Sequence, residues 1–189
     1  MKKDYLSYTD NELLKMMGGS KQEADFAFRI IYDKYSPRLH AYCMRVLNNR
    51  EEAEDIYQET FVKFYQKVDA SLHEGSIQGF LITIARNLCL NAKRDKRETV
   101  GLEEFHMIIN GEEEHEQKEV FNLIRTAMEL LEFEYREPLV LRLYDGLSYE
   151  EIADVCQITP ENARKRVFRA KQKIKAIIEP NYKEMYNWK

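Results

Sequence analysis

The chain has 189 residues, 44% hydrophobic and 33% charged, with only 7 glycines and 4 prolines and a formal net charge of -4. Few breakers among many charges predict a largely helical protein, long enough for one large or two small domains. The slight negative charge excludes a chain that binds nucleic acid over its whole surface, so the distribution of cations matters more than their sum. Cys43, Cys89 and Cys156 are far apart, lie in apolar helical patterns and form no Cys-x-x-Cys or Cys/His cluster. Metal binding is therefore not expected, and a reducing compartment is. Met1-Lys2-Lys3 leads into Asp4 rather than an apolar run, and no run approaches the length of a membrane span. The expectation is a cytoplasmic protein with no signal peptide, no membrane insertion and no cofactor.

Thr9 and Glu12 have the spacing of a capping box, in which each side chain satisfies an unpaired N–H at a helix start. Leu13, Leu14, Met16 and Met17 follow, and Gly18-Gly19 ends this short first helix. From Asp25 to Asn48, Phe26, Ile30, Ile31, Tyr35, Leu39, Tyr42, Val46 and Leu47 recur at helical spacing. Ser36-Pro37 is expected to kink this second helix or to begin a new one. Glu51 to Val68 predicts a third, with Ala53, Ile56, Phe61, Phe64 and Val68 inside and Asp55, Gln58, Glu59 and Lys63 mostly elsewhere. Asp69 to Ser76 reads as a loop. Ile77 to Arg94 predicts a fourth helix, apolar through Phe80, Leu81, Ile84, Ala85 and Leu88. Its polar side carries Arg86, Asn87 and Asn91, and it runs into Lys93, Arg94, Lys96 and Arg97.

Beyond Glu98 the periodicity dissolves into a stretch rich in glutamate, marked by Gly101 and Gly111. Helical spacing resumes near Val120 with Phe121, Ile124, Met128 and Leu131, and Pro138 is expected to open a further helix to Tyr144. The expected fold is all-α: two small helical domains, 1–97 and 120–180, joined by an acidic flexible linker, 98–119.

The most informative stretch is Ser148 to Lys175. Ser148 and Glu151 make a second capping box, and Ile152, Ala153 and Val155 give the helix a buried side. Thr159 offers another N-cap, with Pro160 suited to the first helical position. The next helix places Ala163, Val167, Ala170 and Ile174 on one stripe. Its other faces hold Arg164, Lys165, Arg166, Arg169, Lys171, Lys173 and Lys175 against one acid, Glu161. Two capped helices across a tight turn, the second cationic, are a helix-turn-helix whose second helix fits the DNA major groove.

Two stretches together resemble the extracytoplasmic-function sigma factors, bacterial RNA polymerase subunits of the sigma-70 family. One is Glu52-Ala53-Glu54-Asp55-Ile56-Tyr57-Gln58-Glu59-Thr60-Phe61, continuing through Phe80 to Asn87. The other is Gly146-Leu147-Ser148-Tyr149-Glu150-Glu151-Ile152-Ala153, continuing through Arg164 to Lys171. Three positions depart from the family pattern. Gln157 stands for the usual turn glycine, Phe80 for a frequent tryptophan, and Thr83 for a frequent basic residue. A left-handed Gln157 would cost roughly 1 kcal/mol.

The resemblance implies a factor that binds core RNA polymerase and directs promoter-specific initiation. The first domain would dock on the β′ clamp helices through Asp55, Gln58 and Glu59, a face that periodicity alone reads as solvated. It would read the -10 element through the loop Asp69 to Ser76, Asn87 and Asn91, whose amides suit the edge of an unpaired base. Arg86, Lys93, Arg94, Lys96 and Arg97 would hold phosphates. The second domain would read the -35 duplex and touch the β flap. Arg164 and Lys165 are its base-facing cations, and Phe168 either packs on a thymine methyl or is half-buried in its own domain. Arg166, Arg169 and Lys171 would hold phosphates. Tyr32, Tyr35, Tyr42 and Phe64 read as core. The linker is a solvated tether or a segment threading toward the polymerase channels. The family further implies an anti-sigma factor and no enzymatic activity. The alternative is a helix-turn-helix regulator acting without polymerase, with a hydrolase or metalloenzyme disfavoured because His40, His73, His106 and His115 lack ligand spacing.

Overall fold

A computed structural model of the chain describes residues 8–47, 49–68, 76–97 and 115–186. The described residues form helices joined by short turns, in two units, Met1–Leu102 and Glu103–Lys189. In the first unit, α1 (Asp10–Met17) starts on the Thr9–Glu12 capping box, and Gly18 closes it. Helix α2 (Lys21–Val46) starts earlier than apolar spacing suggests, because Ser20 and Glu23 form a capping box of their own. It also runs through Pro37 as one helix, so no new helix begins there. Proline removes one ladder bond, but Ile30, Ile31 and Tyr35 before it and Leu39, Tyr42 and Cys43 after it are all buried. One continuous buried stripe against α1, α3 (Arg50–Lys67) and α4 (Ile77–Arg97) holds the helix together.

Phe61, Phe64 and Ile56 fill the seam beneath α3, and the buried hydroxyl of Thr60 donates to Ile56 O at 2.7 Å. Tyr35, Tyr42 and Phe64 are buried as expected, whereas Tyr32 is 39% exposed on an aromatic ridge with Phe28, Tyr57 and Phe61. Asp10 ties three helices together. Its carboxylate accepts from Tyr35 Oη at 2.6 Å, from Lys34 Nζ at 2.9 Å and from the Ile77 N–H that opens α4 at 3.2 Å. Partial burial opposes its charge, but these donors and the lysine charge outweigh it and hold the carboxyl below its usual range.

In the second unit, α5 (His115–Glu129) begins inside the stretch expected to be linker. Helix α6 (Phe133–Leu143) starts before Pro138 rather than at it. Pro138 is buried with Leu139, Val140 and Leu141, so packing again overrides the breaker. Buried Arg136 donates to Leu131 O at 2.8 Å, satisfying a carbonyl at the α5–α6 turn. Helix α7 (Tyr149–Cys156) begins on the Ser148–Glu151 box, and α8 (Pro160–Tyr186) follows it. Leu131, Leu139, Val167 and Ala170 form a buried cluster, with Met128, Tyr135, Tyr149 and Ile174 packed around it.

Gln157 is left-handed, at φ 53 and ψ 48. Its N–H reaches back to α7, and the Ile158 N–H bonds Ala153 O at 3.0 Å, the longer closure of a Schellman turn. The turn therefore has its usual geometry without its usual glycine, and satisfied end carbonyls offset the steric cost.

Candidate nucleic-acid interface

Helix α8 is seated through small residues. Ala163, Val167 and Ala170 are fully or almost fully buried, so the backbone lies close to its neighbours and the opposite face projects. Thr159 Oγ1 accepts from the Asn162 N–H at 3.2 Å and caps the helix start. Glu161, Arg164, Lys165, Phe168 and Lys171 are exposed and recur at spacings of three and four, which places them on one face. Phe168 is 62% exposed, which removes the half-buried reading. Arg169 lies on one flank of that face, whereas Arg166 lies away from it beside the buried stripe, is partly buried and pairs with Glu134 at 3.3 Å. Lys165 pairs with Glu161 at 2.6 Å, and this bond and the lysine charge hold the Glu161 carboxyl below its usual range. Arg164 is held differently, with its guanidinium 5.1 Å from the centre of the Tyr149 ring. Arg142 lies 5.0 Å from the same ring and donates to Leu147 O at 2.7 Å.

On α4, Asn87, Leu90, Asn91 and Arg94 are exposed at i, i+3, i+4 and i+7, with Lys93 half-exposed beside them. Arg86 corrects the expected set. It is only 8% exposed, because its position points inward with Ile82, Ala85 and Cys89 rather than to the polar side. Thr83 bonds back to Gly79 O at 2.8 Å, so its hydroxyl is engaged within the helix. Lys96 and Arg97 end α4, but their side chains lie outside the described residues, as does the loop from Asp69 to Gly75.

On α3, Asp55, Gln58 and Glu59 are exposed on one face with Val62, opposite buried Ala53, Ile56 and Phe64. Glu59 pairs with Lys63 at 3.1 Å, while Asp55 and Gln58 point to solvent. Sequence reasoning passed over Tyr149 and the Glu161–Lys165 pair. The spacing of Glu161 and Lys165 would have revealed the second, whereas nothing local links Tyr149 to Arg164. Among the described residues, no three His, Cys, Asp or Glu side chains gather as a metal site, and no helix is long and apolar enough to cross a membrane.

Comparison with known proteins converges on one family. The model of Sigma-70 region 2 matches residues 31–99, and that of Sigma-70, region 4 matches residues 121–174. RNA polymerase sigma factor SigZ of Bacillus subtilis is 28% identical over 150 residues, covering 79% of this chain and 85% of that protein. The ECF RNA polymerase sigma factor SigW of the same organism is 29% identical over 163 residues, covering 79% and 87%. The fold matches that of the sigma factor RpoE in its co-crystal structure with the anti-sigma factor NepR from Bartonella quintana. The TM-score is 0.71 at 23% identity, over 80% of this chain and 96% of that one. Both halves of the chain, in order, carry the family's regions, and the chain belongs to the sigma-70 family of RNA polymerase sigma factors, in its extracytoplasmic-function group.

Proposed function

We propose that this sigma factor grips its promoters at two places through the faces described above. The observation that carries the reading is the projecting stripe of α8, where Arg164, Lys165 and Phe168 stand exposed on the second helix of a capped helix-turn-helix. Arg164 and Lys165 read base edges of the -35 duplex, Phe168 packs on a thymine methyl, and Arg166, Arg169 and Lys171 hold phosphates. Arg166 must exchange Glu134 for phosphate to do so, and Lys165 must release Glu161.

Asn87 and Asn91 read the opened -10 strand, with Lys93 and Arg94 along its phosphates; buried Arg86 is left out of this set. Asp55, Gln58 and Glu59 dock on the β′ clamp helices, where an acidic face with an amide complements basic side chains. The domains that carry these faces are residues 1–97 and 120–180, with the β flap as the further contact of the second. Catalysis is left to the polymerase, and the protein acts with it in the cytoplasm. Bartonella quintana RpoE is bound by an anti-sigma factor, and CnrH by the cytosolic domain of CnrY. A comparable anti-sigma partner that hides the two grips is proposed here.

The test is genomic run-off transcription with holoenzyme reconstituted from core polymerase and this chain. Start sites sharing one -10 and one -35 element are expected. Failure to bind core polymerase, together with no promoter-specific starts, would sink the reading.

A further inference from the structure

We infer that Tyr149 is a positioning residue for -35 recognition, its ring presenting the Arg164 guanidinium to the base pair. This rests on the assignment of Arg164 to the -35 element made above. Three observations on different elements carry it. Tyr149 is the first residue of α7, so its backbone is set by the Ser148–Glu151 capping box. Its ring packs against the buried cluster of Leu131, Leu139, Val167 and Ala170. Arg142, anchored on Leu147 O at 2.7 Å, lies 5.0 Å from the ring centre. The ring is thus held by its own helix start, by the core and by a tethered cation. Arg164 then meets it at 5.1 Å.

The chemistry of this hold differs from that of its neighbours. Lys165 and Arg166 are held by carboxylates, which occupy the N–H donors that a base or phosphate would need. A ring face attracts the charge of a guanidinium without taking its hydrogen bonds. The five in-plane donors of Arg164 stay available for the paired acceptors O6 and N7 of guanine. A long side chain already leaning on a fixed surface also loses less rotamer freedom when it engages. Tyr149 therefore acts through Arg164, and its hydroxyl is not required.

The experiment uses holoenzyme carrying Tyr149→Leu, Tyr149→Phe, Arg142→Met, Arg164→Ala and the double variant Tyr149→Leu/Arg164→Ala. Core binding and thermal melting are scored first, then transcription from a panel of single-base -35 variants. Tyr149→Leu is expected to lose about two- to fivefold of the discrimination at the base pair that Arg164→Ala relaxes, and at no other. Tyr149→Phe keeps it, and Tyr149→Leu adds nothing in the Arg164→Ala background. Arg142→Met shifts the same base pair in the same direction by less, and carries the test should Tyr149→Leu melt early. A uniform loss across all -35 variants, or full additivity with Arg164→Ala, overturns the inference. Wild-type holoenzyme that binds core but ignores the -35 sequence overturns the promoter reading and this inference with it.

Discussion

Helices α4 and α8 are proposed to serve the same promoter, yet they are built on opposite plans. Helix α4 buries large residues, Ile77, Leu81, Ile82 and Ile84, with Arg86 among them, and exposes Asn87, Leu90, Asn91 and Arg94. Helix α8 is seated on Ala163, Val167 and Ala170 and projects charges, several of them already paired. The contrast suits the two proposed targets. A duplex admits a whole helix into its groove, so the reader must stand clear of its own domain, and a small-residue seat allows that. An opened strand brings its bases to the protein, so a helix set deep in its core serves, with amides on its outer edge.

The strongest way to break this contrast is to attack the two seats. Phe64→Ala empties the aromatic core under α3 and α4 and should cost about 3–5 kcal/mol of the first unit's stability. Ala163→Leu should cost about 1–3 kcal/mol by overpacking the seat of α8. Denaturant unfolding measures both, and a neutral Ala163→Leu would show that α8 is not closely seated. The readers come next. Arg164→Ala should remove about 1–3 kcal/mol of -35 discrimination while core binding holds, read by transcription from mismatched promoters. Asn87→Ala should instead impair -10 opening by about 0.5–1.5 kcal/mol and leave duplex -35 binding intact.

Asp10 sharpens the comparison through pH, since a distant carboxylate caps α4 whereas the local Thr159 hydroxyl caps α8. Asp10→Asn should cost the first unit about 1–2 kcal/mol at neutral pH, two charge-assisted bonds discounted for partial exposure. Because folding depresses this carboxyl, its contribution is complete above the unfolded value of about 4 and is lost as pH falls through the lower folded value. Melting curves of the two proteins should therefore converge on acidification. A gap that stays constant down to about pH 2 would exclude Asp10 as the charged tie. The smallest effect is expected at the turn before α8, where Gln157→Gly should stabilise the second unit by about 0.5–1 kcal/mol, by removing left-handed strain.

Several site residues were legible because they answer to local rules. The Thr9 and Ser148 capping boxes, the stripe of Ala163, Val167 and Ala170, and the exposed Arg164 and Lys165 all follow from spacings within two turns of a helix, whereas the exposure of Phe168 was decided by packing. The all-α fold and the family follow from the same motifs in order. Arg86 was misread because a cation beside Asn87 suggests solvent, while the helical phase it shares with Ile82 and Cys89 turns it inward. Ser20 and Glu23 went unread because the apolar pattern becomes plain only after them.

By itself the sequence determined where the capped helices α1, α7 and α8 begin, which stripe α8 buries, and that a basic helix-turn-helix follows an acid-faced helical half. These are properties of neighbours along the chain, carried by backbone hydrogen bonding and helical phase. Tertiary structure alone decided that α2 passes through Pro37 and that α6 starts before Pro138, because buried side chains on both flanks outweigh one missing bond. It also decided that Asp10 caps the distant Ile77, and that Arg142 and Arg164 meet on the ring of Tyr149. Such pairings depend on how helices pack, and no spacing in the chain encodes them.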